Sequence, residues 1–301
     1  MRAARFHSYG APDDVLVVED APEPHAADGS IRIAVRATSV NPIDVLLRAG
    51  RLAQVLPIPL PAIPGRDAVG VVDEVGRGVT DIRVGDVVFG LGGVSDTTAE
   101  FAVLTAWSIV PEGWSTAQAA AAGLASATAA RALQALGDLN GRTILIEGAS
   151  GAVGSAAAAF ALAAGATVIG TGRERSHPYL RSLGVLPTTY GPALAERVGA
   201  LASRGVDAAL HAAPSGSLPD LLGIVGDPSR VVTVVDDRGA ARLGVTKVDA
   251  RNDSALLRSA AALGRDGRYT PRVDHELALA DIAEAHVLAE NGGGKVVVMQ
   301  P

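Results

Sequence analysis

Residues 144–156 read ILIEGASGAVGSA, an apolar run that breaks into glycines and continues in small residues. The segment TILIE predicts a buried strand, and AVGSAAAAFALAA, which is closed by Gly165, predicts a helix. Gly148, Gly151 and Gly154 lie between and within these elements with the spacing GxxGxxG. A strand, a glycine turn and a helix in this order are typical of a dinucleotide-binding fold.

The glycine loop is predicted to hold the pyrophosphate of the cofactor. Glycine is needed where the backbone approaches phosphate and where the helix packs on the strand, and the first helical N–H groups attract the anion. A tight strand-to-helix turn without a ligand is the alternative, because a glycine pattern alone is weak evidence. The flanking strand and helix favour cofactor binding. The predicted contacts in the loop are Gly148, Ser150, Gly151, Ala152, Val153 and Gly154.

The end of the second predicted strand, VIGTGRERS, indicates which dinucleotide is bound. An NAD site usually has an acidic residue there, about 20 residues beyond the loop, to bind the ribose hydroxyls. Arg173 and Arg175 instead offer planar cations that suit the 2′-phosphate of NADPH. Glu174 between them supports the competing interpretation, an NAD site. In the alternative without a cofactor, the arginines are solvated residues at the start of a helix. The sequence predicts NADPH.

The pattern of apolar residues changes along the chain. Up to about residue 110, short β-branched runs such as IRIAVRA and VGVVDEV predict an antiparallel or barrel-like β domain. After an alanine-rich helical stretch, the runs TILIE, ATVIG, DAALHA and RVVTVVD alternate with helical segments, which predicts a parallel sheet. The terminal run GKVVVMQ predicts a strand that can pair in either domain. The stretch LPIPLPAIPG predicts an extended loop, either a rigid surface connection or a wall of a substrate cleft.

Composition restricts the class of protein. A chain of 301 residues exceeds the usual single core, and 48% hydrophobic with 19% charged residues excludes intrinsic disorder. A net charge of -6 without a basic stripe argues against a nucleic-acid partner. The absence of cysteine excludes disulfides and Cys-ligated zinc. We expect no membrane partner and a cytoplasmic location, since MRAARFHSYG lacks the apolar core of a signal peptide.

The chain resembles the zinc-independent quinone oxidoreductase branch of the medium-chain dehydrogenase/reductase superfamily. The resemblance is carried, in the family's order, by MRAARFHSYGAPDDVLVVED, SVNPIDVLLRAG, IPGRDAVGVVDEVG, VGDVVFG, ATAARAL, the glycine loop and GKVVV. It implies an α/β fold with a GroES-like β-rich catalytic domain over residues 1–118, including a C-terminal return over 267–301. A doubly wound, parallel-sheet Rossmann domain would cover 119–266, with the active site in the cleft between the two.

The resemblance also implies site residues. Asn41 and Asp44 in NPID match positions beside the nicotinamide and are the candidate catalytic residues. Thr128 in ATA matches a hydroxyl that contacts the nicotinamide or its ribose. Tyr190 in TTYG matches a tyrosine that reaches the adenosine phosphate, and Lys295 in GGGK matches a basic residue near the cofactor. Turn residues and a helix cap are the structural alternatives for the first three.

Two departures from the wider superfamily concern the chemistry. Gly65, Arg66 and Asp67 stand where zinc-dependent relatives have Gly-His-Glu, so no metal is expected. The tyrosine that often follows the NP motif is missing, so the proton would come from water, the substrate or Asp44. His211 ends DAALHA and is a candidate to face the cofactor. The histidines, none of which shows metal-binding spacing, are His7, His25, His177, His211, His275 and His286.

The expected function is zinc-independent hydride transfer from NADPH to a quinone or to the β-carbon of an electron-poor enone. The expected partners are that small molecule and a second copy of the chain, because relatives dimerise through edge strands and RVVTVVD could supply one. An enoyl-thioester reductase is the enzymatic alternative. An NADPH-binding sensor or structural protein without turnover is the alternative of another class.

Overall fold

The computed structural model describes residues 1–301 and contains fifteen strands. The strands are β1 (Arg2–Phe6), β2 (Leu16–Asp20), β3 (Ile31–Val40), β4 (Asp67–Val75), β5 (Val87–Leu91), β6 (Phe101–Leu104), β7 (Ala106–Ile109), β8 (Thr143–Glu147), β9 (Thr167–Thr171), β10 (Leu186–Thr188), β11 (Ala208–His211), β12 (Val231–Thr233), β13 (Thr246–Lys247), β14 (His275–Ala278) and β15 (Val296–Met299).

Ten α-helices connect the strands, and none is long and apolar enough to cross a membrane. The helices are α1 (Pro12–Val15), α2 (Pro42–Arg48), α3 (Thr116–Leu136), α4 (Ala152–Ala163), α5 (His177–Ser182), α6 (Leu194–Leu201), α7 (Leu218–Val225), α8 (Asp237–Leu243), α9 (Ser254–Arg265) and α10 (Ile282–Glu290).

The chain divides into two compact units. The first comprises Met1–Leu124, Asn252–Arg265 and Thr270–Pro301, and the second comprises Ala125–Arg251 and Asp266–Tyr269. The sequence therefore leaves the first unit after α3 has begun and returns to it for its C-terminal part.

The first unit is built on a seven-stranded sheet in the order β14-β15-β3-β4-β5-β7, with β6 also paired to β3. All its pairings are antiparallel except that of β14 with β15. The alternation in IRIAVRA points Ile31, Ile33 and Val35 into the core, as the pattern predicts. The predicted β-rich domain is confirmed, and the terminal strand β15 pairs within it, which the periodicity left open.

Helix α9 contacts the β-rich unit rather than the parallel sheet. The backbone N–H of Trp107 donates to Ser254 Oγ at 3.0 Å, and a β-carbon on Gly264 would lie 2.7 Å from the Trp114 ring. This placement differs from the sequence boundary, which assigned residues 119–266 to the second domain. An amphipathic pattern predicts a helix but does not identify the surface that covers its apolar face.

The second unit has a six-stranded parallel sheet in the order β10-β9-β8-β11-β12-β13. The chain proceeds outward from β8 in one direction and from β11 in the other, so the strand order reverses between these two strands. Ligands of doubly wound sheets bind at the carboxyl ends of the strands beside such a reversal. Helix α4 is apolar all round, and its residues 154–161 are buried. The predicted α/β fold class is confirmed.

Two expectations about irregular or edge segments have different outcomes. Residues 56–65 belong to no helix and to none of the fifteen strands, so LPIPLPAIPG is the extended loop that its prolines predict. The expectation that RVVTVVD provides an edge strand is wrong, because β12 is hydrogen-bonded on both sides, to β11 and to β13. Strand β13 is only two residues long, Thr246 and Lys247, and such a short polar segment carries no period that reveals it.

Candidate functional site

The glycine loop joins β8 to α4, and two of its glycines are required by the fold itself. Gly148 has φ +72°, a left-handed conformation, and a β-carbon there would lie 2.8 Å from the β-carbon of Ala213. A β-carbon on Gly154 would collide with the carbonyl oxygen of Gly148 and lie 2.7 Å from Ala149 Cα. These two positions let the loop turn and let α4 pack closely on β8.

Gly151 differs from its neighbours in the loop. It is the residue before α4, with φ -81°, and a β-carbon on it would have the Gly148 oxygen as its nearest neighbour, at 3.4 Å. The protein alone therefore tolerates a side chain at this position. The N–H groups of Ala152, Val153 and Gly154 have no acceptor within the helix, and no side chain caps α4. N–H donors at the start of a helix, beside an uncrowded glycine, fit a phosphate group.

Thr171, the last residue of β9, fastens the glycine loop to the neighbouring strand. Its hydroxyl accepts from the N–H of Gly148 at 3.2 Å, and its carbonyl accepts from the N–H of Ala149 at 3.0 Å. Arg173, Glu174 and Arg175 follow directly and are all exposed. The structure thus brings the two predicted arginines next to the loop together with the acidic residue that competes with them.

The other predicted contacts in this unit lie at different depths. Ser150 is half-buried, and a β-carbon on Gly172 would lie 3.3 Å from its Oγ. Thr128 is buried on α3. Tyr190 lies in the segment after β10 with 48% of its surface exposed, so its ring is available to a ligand. Contacts of these residues with the cofactor stay predictions.

Glu147 and His211 form a buried network at the carboxyl ends of β8 and β11. The Glu147 carboxylate accepts from the hydroxyls of Ser215, at 2.5 Å, and Ser217. His211 Nε2 lies 3.3 Å from Glu147 Oε2, and its Nδ1 lies 2.9 Å from Thr233 Oγ1. Burial lowers the pKa of His211, against the opposing charge of Glu147. His211 therefore has one hydrogen-bond partner, Thr233, whereas its Nε2 lies near the Glu147 carboxylate without a hydrogen bond. Its contact with a cofactor stays a prediction.

Sequence reasoning missed Glu147. The available signal was the charged residue that ends the apolar run TILIE, because a carboxylate at the end of a buried strand needs a partner.

In the first unit, four buried polar residues form what we call the Asn41 cluster: Asn41, Asp44, Asp67 and Lys295. Asn41 is at its centre, where Oδ1 accepts from Lys295 Nζ at 2.7 Å and Nδ2 donates to Asp67 Oδ1 at 3.0 Å. The backbone N–H of Asn41 donates to Asp44 Oδ2 at 2.7 Å. Because an ammonium group can only donate, the Asn41 amide has one possible orientation.

The sheet brings these residues together from distant parts of the chain. Asn41 lies between β3 and α2, Asp67 begins β4, and Lys295 directly precedes β15. The antiparallel pairing places Val296 opposite Val40, so Lys295 and Asn41 meet although 254 positions separate them. The structure thus joins three predicted residues, and it adds Asp67, which sequence reasoning used only to exclude zinc.

Charge is balanced within the Asn41 cluster. The Asp67 carboxylate also accepts from Ser39 Oγ at 2.6 Å and from the N–H of Leu124 at 3.0 Å, and Lys295 Nζ lies 3.9 Å from it. Burial lowers the pKa of Lys295, while Asp67 and Asp44 raise it. Each ion is therefore stabilised by the others rather than by water.

Asp44 is the member of the cluster that can change its protonation near neutral pH. Burial raises the pKa of its carboxyl to about 7, and the N–H of Asn41, Lys295 and Arg66 act in the opposite direction. One of its oxygens, Oδ1, has no hydrogen-bond partner. A carboxyl that holds a proton at neutral pH can serve as an acid.

Arg66 precedes Asp67 of the Asn41 cluster, and one hydrogen bond holds its side chain. Its Nη2 donates to Asn252 Oδ1 at 3.1 Å, whereas its buried Nε has no hydrogen-bond partner. No group of three or more histidine or acidic side chains that could hold a metal ion occurs in the structure.

Comparison with known proteins gives consistent matches. Residues 27–121 match the family described as Alcohol dehydrogenase GroES-like domain. The chain is 31% identical to the quinone oxidoreductase of Sus scrofa over 249 residues, which are 79% of this chain and 74% of the relative. It is 34% identical to erythronolide synthase EryA2 of Saccharopolyspora erythraea over 96% of this chain but 8% of that protein. The solved quinone oxidoreductase of Coxiella burnetii superposes with a TM-score of 0.84 at 27% identity, covering 99% of both chains.

Proposed function

The chain belongs to the quinone oxidoreductase-like branch of the medium-chain dehydrogenase/reductase family, and on that premise we propose that it is a zinc-independent, NADPH-dependent reductase of quinones or electron-poor enones. The observation that carries the cofactor proposal is the pair Arg173 and Arg175. Both are exposed directly after β9, the strand that is hydrogen-bonded to the glycine loop. Guanidinium groups at that place suit a 2′-phosphate.

The residues of the second unit would hold the cofactor. The amides of Ala152, Val153 and Gly154 would bind the pyrophosphate, which Gly151 leaves room to approach. When bound, the reduced nicotinamide supplies the hydride. The protein itself supplies orientation and an environment with little water.

The Asn41 cluster would position the reacting groups and supply the proton that the reduced acceptor takes up. Lys295 and Asp67 hold the Asn41 amide in one orientation, which keeps its surroundings rigid. Asp44, with a pKa of about 7, can hold a proton at neutral pH and pass it on through its oxygen Oδ1. This supplies the proton source that the missing family tyrosine would otherwise provide.

Steady-state oxidation of NADPH and of NADH tests the proposal, with quinones, enones and enoyl thioesters as acceptors. We expect turnover with NADPH and with quinones or enones. Preference for NADH would contradict the cofactor assignment, and NADPH binding without turnover on any acceptor would favour a sensor or structural role.

Elemental analysis of the purified protein tests zinc independence. We expect activity without stoichiometric zinc, because Arg66 occupies the position of the metal-binding histidine in zinc-dependent relatives. Stoichiometric zinc that is lost together with activity on chelation would refute this part of the proposal.

An enoyl-thioester reductase is the second candidate. It is favoured by the 34% identity to erythronolide synthase EryA2, a protein of which this chain covers 8%. A kcat/KM for enoyl thioesters well above that for free enones and quinones would select this function over the first.

A further inference from the structure

We propose that Arg66 binds the carbonyl oxygen of the substrate and stabilises the negative charge that develops there during hydride transfer. This role rests on the proposed function and deepens it, because it assigns the electrophilic group and names the substrate class as carbonyl-conjugated acceptors. The anchoring of the guanidinium, its lack of an ion pair and its neighbours each support this role.

Asn252 fixes the position of the Arg66 side chain. The Asn252 Nδ2 group donates to the carbonyl of Gly92 at 2.6 Å and to Thr105 Oγ1 at 2.7 Å. Since a backbone carbonyl can only accept, the amide must direct its oxygen toward Arg66, where it accepts from Nη2 at 3.1 Å. Arg66 is thereby oriented by a neutral group that leaves its charge intact.

Other arginines of this unit with little exposure are neutralised. Arg32 forms a two-pronged pair with Asp73 at 3.1 and 2.9 Å, and Arg48 lies 2.5 Å from Glu290. Arg66 has one hydrogen bond, no ion pair, and a buried Nε without a partner. A partly buried cation with no carboxylate in ion-pair contact is costly, and its unused donors would be satisfied by an acceptor oxygen that carries negative charge.

The charge of Arg66 acts where the reaction is proposed to occur. It precedes Asp67 in the chain and lowers the pKa of Asp44, so the guanidinium lies within electrostatic reach of the Asn41 cluster. The family resemblance puts Asn41 and Asp44 beside the nicotinamide. A donor at this place would meet the oxygen of an acceptor whose carbon receives the hydride.

The step balances with the groups already named. The β-carbon of an enone receives the hydride with its electron pair, the C=C electron pair shifts, and the carbonyl oxygen becomes an enolate oxyanion that Arg66 hydrogen-bonds. The nicotinamide is left oxidised. A proton from water or from Asp44 then adds to the α-carbon. For a quinone, hydride addition to the ring carbon gives an enolate oxyanion in the same way. One proton on this oxygen and transfer of a proton from the reduced ring carbon to the second oxygen then give the hydroquinone, and Arg66 stays charged throughout.

Binding of 4-nitrophenol to the full chain measures this role without turnover, because the ionised phenol absorbs visible light and resembles the oxyanion. We expect the parent protein to bind the phenolate more tightly than the phenol and so to lower the pKa of the bound ligand. Arg66→Gln should weaken phenolate binding by about 10 to 150-fold, as expected for one charge-assisted hydrogen bond. Arg66→Lys should retain part of the preference. Arg77→Gln, which removes an exposed arginine of the same unit, should leave it unchanged.

Kinetics give the second measurement. Arg66→Gln should lower kcat/KM for the preferred enone or quinone by a similar factor, while the dissociation constant for NADPH stays at the parent value. Asn252→Ala, which frees the guanidinium, should produce a smaller loss in both measurements. If Arg66→Gln does not fold, as judged by its unfolding curve, Arg66→Lys and Asn252→Ala give the same comparison.

The inference is overturned if the parent shows no preference for the phenolate, or if the Arg66 variants match the parent in phenolate binding and in kcat/KM. Failure of the proposed function is a separate result: the parent would then reduce no acceptor, whereas the phenolate titration would still show whether Arg66 binds an oxyanion.

Discussion

The Asn41 cluster and the glycine loop are both rich in polar groups, but they use them in opposite ways. In the Asn41 cluster, the amide, the carboxylate of Asp67 and the ammonium of Lys295 bind one another and are buried. Around the glycine loop, the amides that begin α4 have no acceptor within the helix, and Arg173 and Arg175 are exposed. Groups that bind each other fix a shape and a charge distribution, whereas groups with unused donors can bind a ligand.

Removing the ammonium of Lys295 should have the largest effect, on folding. Lys295→Met leaves Asp67 buried without its cation, which costs about 3 to 5 kcal/mol of unfolding free energy. Lys247→Met is the matched control, because the only other lysine of the chain pairs with the exposed carboxylates of Asp237 and Asp249. It should cost about 1 kcal/mol or less. Urea unfolding of the parent and both variants measures the loss of unfolding free energy. Equal losses in the two variants would show that Asp67 does not depend on the Lys295 ammonium for its stabilisation.

Substitution in the glycine loop should affect binding rather than folding. Gly151→Val has room in the protein but would place a side chain where the pyrophosphate approaches, so we expect NADPH affinity to fall by about 100-fold or more. Gly154→Ala is the counterpart: its β-carbon meets the Gly148 oxygen, so it should destabilise the fold. Titration calorimetry and unfolding curves separate the two effects. A Gly151→Val variant that folds and binds NADPH like the parent would contradict the assignment of the loop.

The two regions also differ in how far the sequence predicts them. The strand, the glycine turn and the helix follow one another, so local spacing and period predicted β8, the loop and α4. The arginines after β9 followed from the same local argument.

The Asn41 cluster has no local pattern. Its members come from three separated segments, and only the pairing of β15 with β3 brings Lys295 to Asn41. The family resemblance named three of the residues but not their mutual hydrogen bonds, nor the role of Asp67. Arg66 was read only as a missing zinc ligand, because its single neutral partner, Asn252, lies in a segment that no spacing connects to it.

The raised pKa of Asp44 predicts a pH dependence of stability. The folded state keeps a proton on this carboxyl up to about pH 7, whereas the unfolded chain releases it near its ordinary value of 3.8. The folded state is therefore stabilised at acidic pH, and this stabilisation is lost as the pH rises through about 7. Between about pH 5 and pH 8 the loss should be on the order of 2 kcal/mol. Asp44→Asn should remove this component, and urea midpoints that show the same pH dependence in parent and variant would contradict it.

The smallest expected effect concerns cofactor choice, where the arginines are exposed and water screens their charge. Replacing both Arg173 and Arg175 by alanine should weaken NADPH by roughly tenfold, the low end for a charge-assisted hydrogen bond, and leave NADH nearly unchanged. Arg181→Ala, an exposed arginine on α5, is the control and should alter neither dissociation constant. Raising the salt concentration should reduce the NADPH preference of the parent and not that of the double variant, because only the parent retains the paired charges. Two results would contradict this prediction: a parent that binds NADH as tightly as NADPH, or a double variant that loses affinity for both cofactors equally. Glu174 would then hold the ribose hydroxyls, and the donors beside the glycine loop would bind a dinucleotide without distinguishing whether it carries the 2′-phosphate.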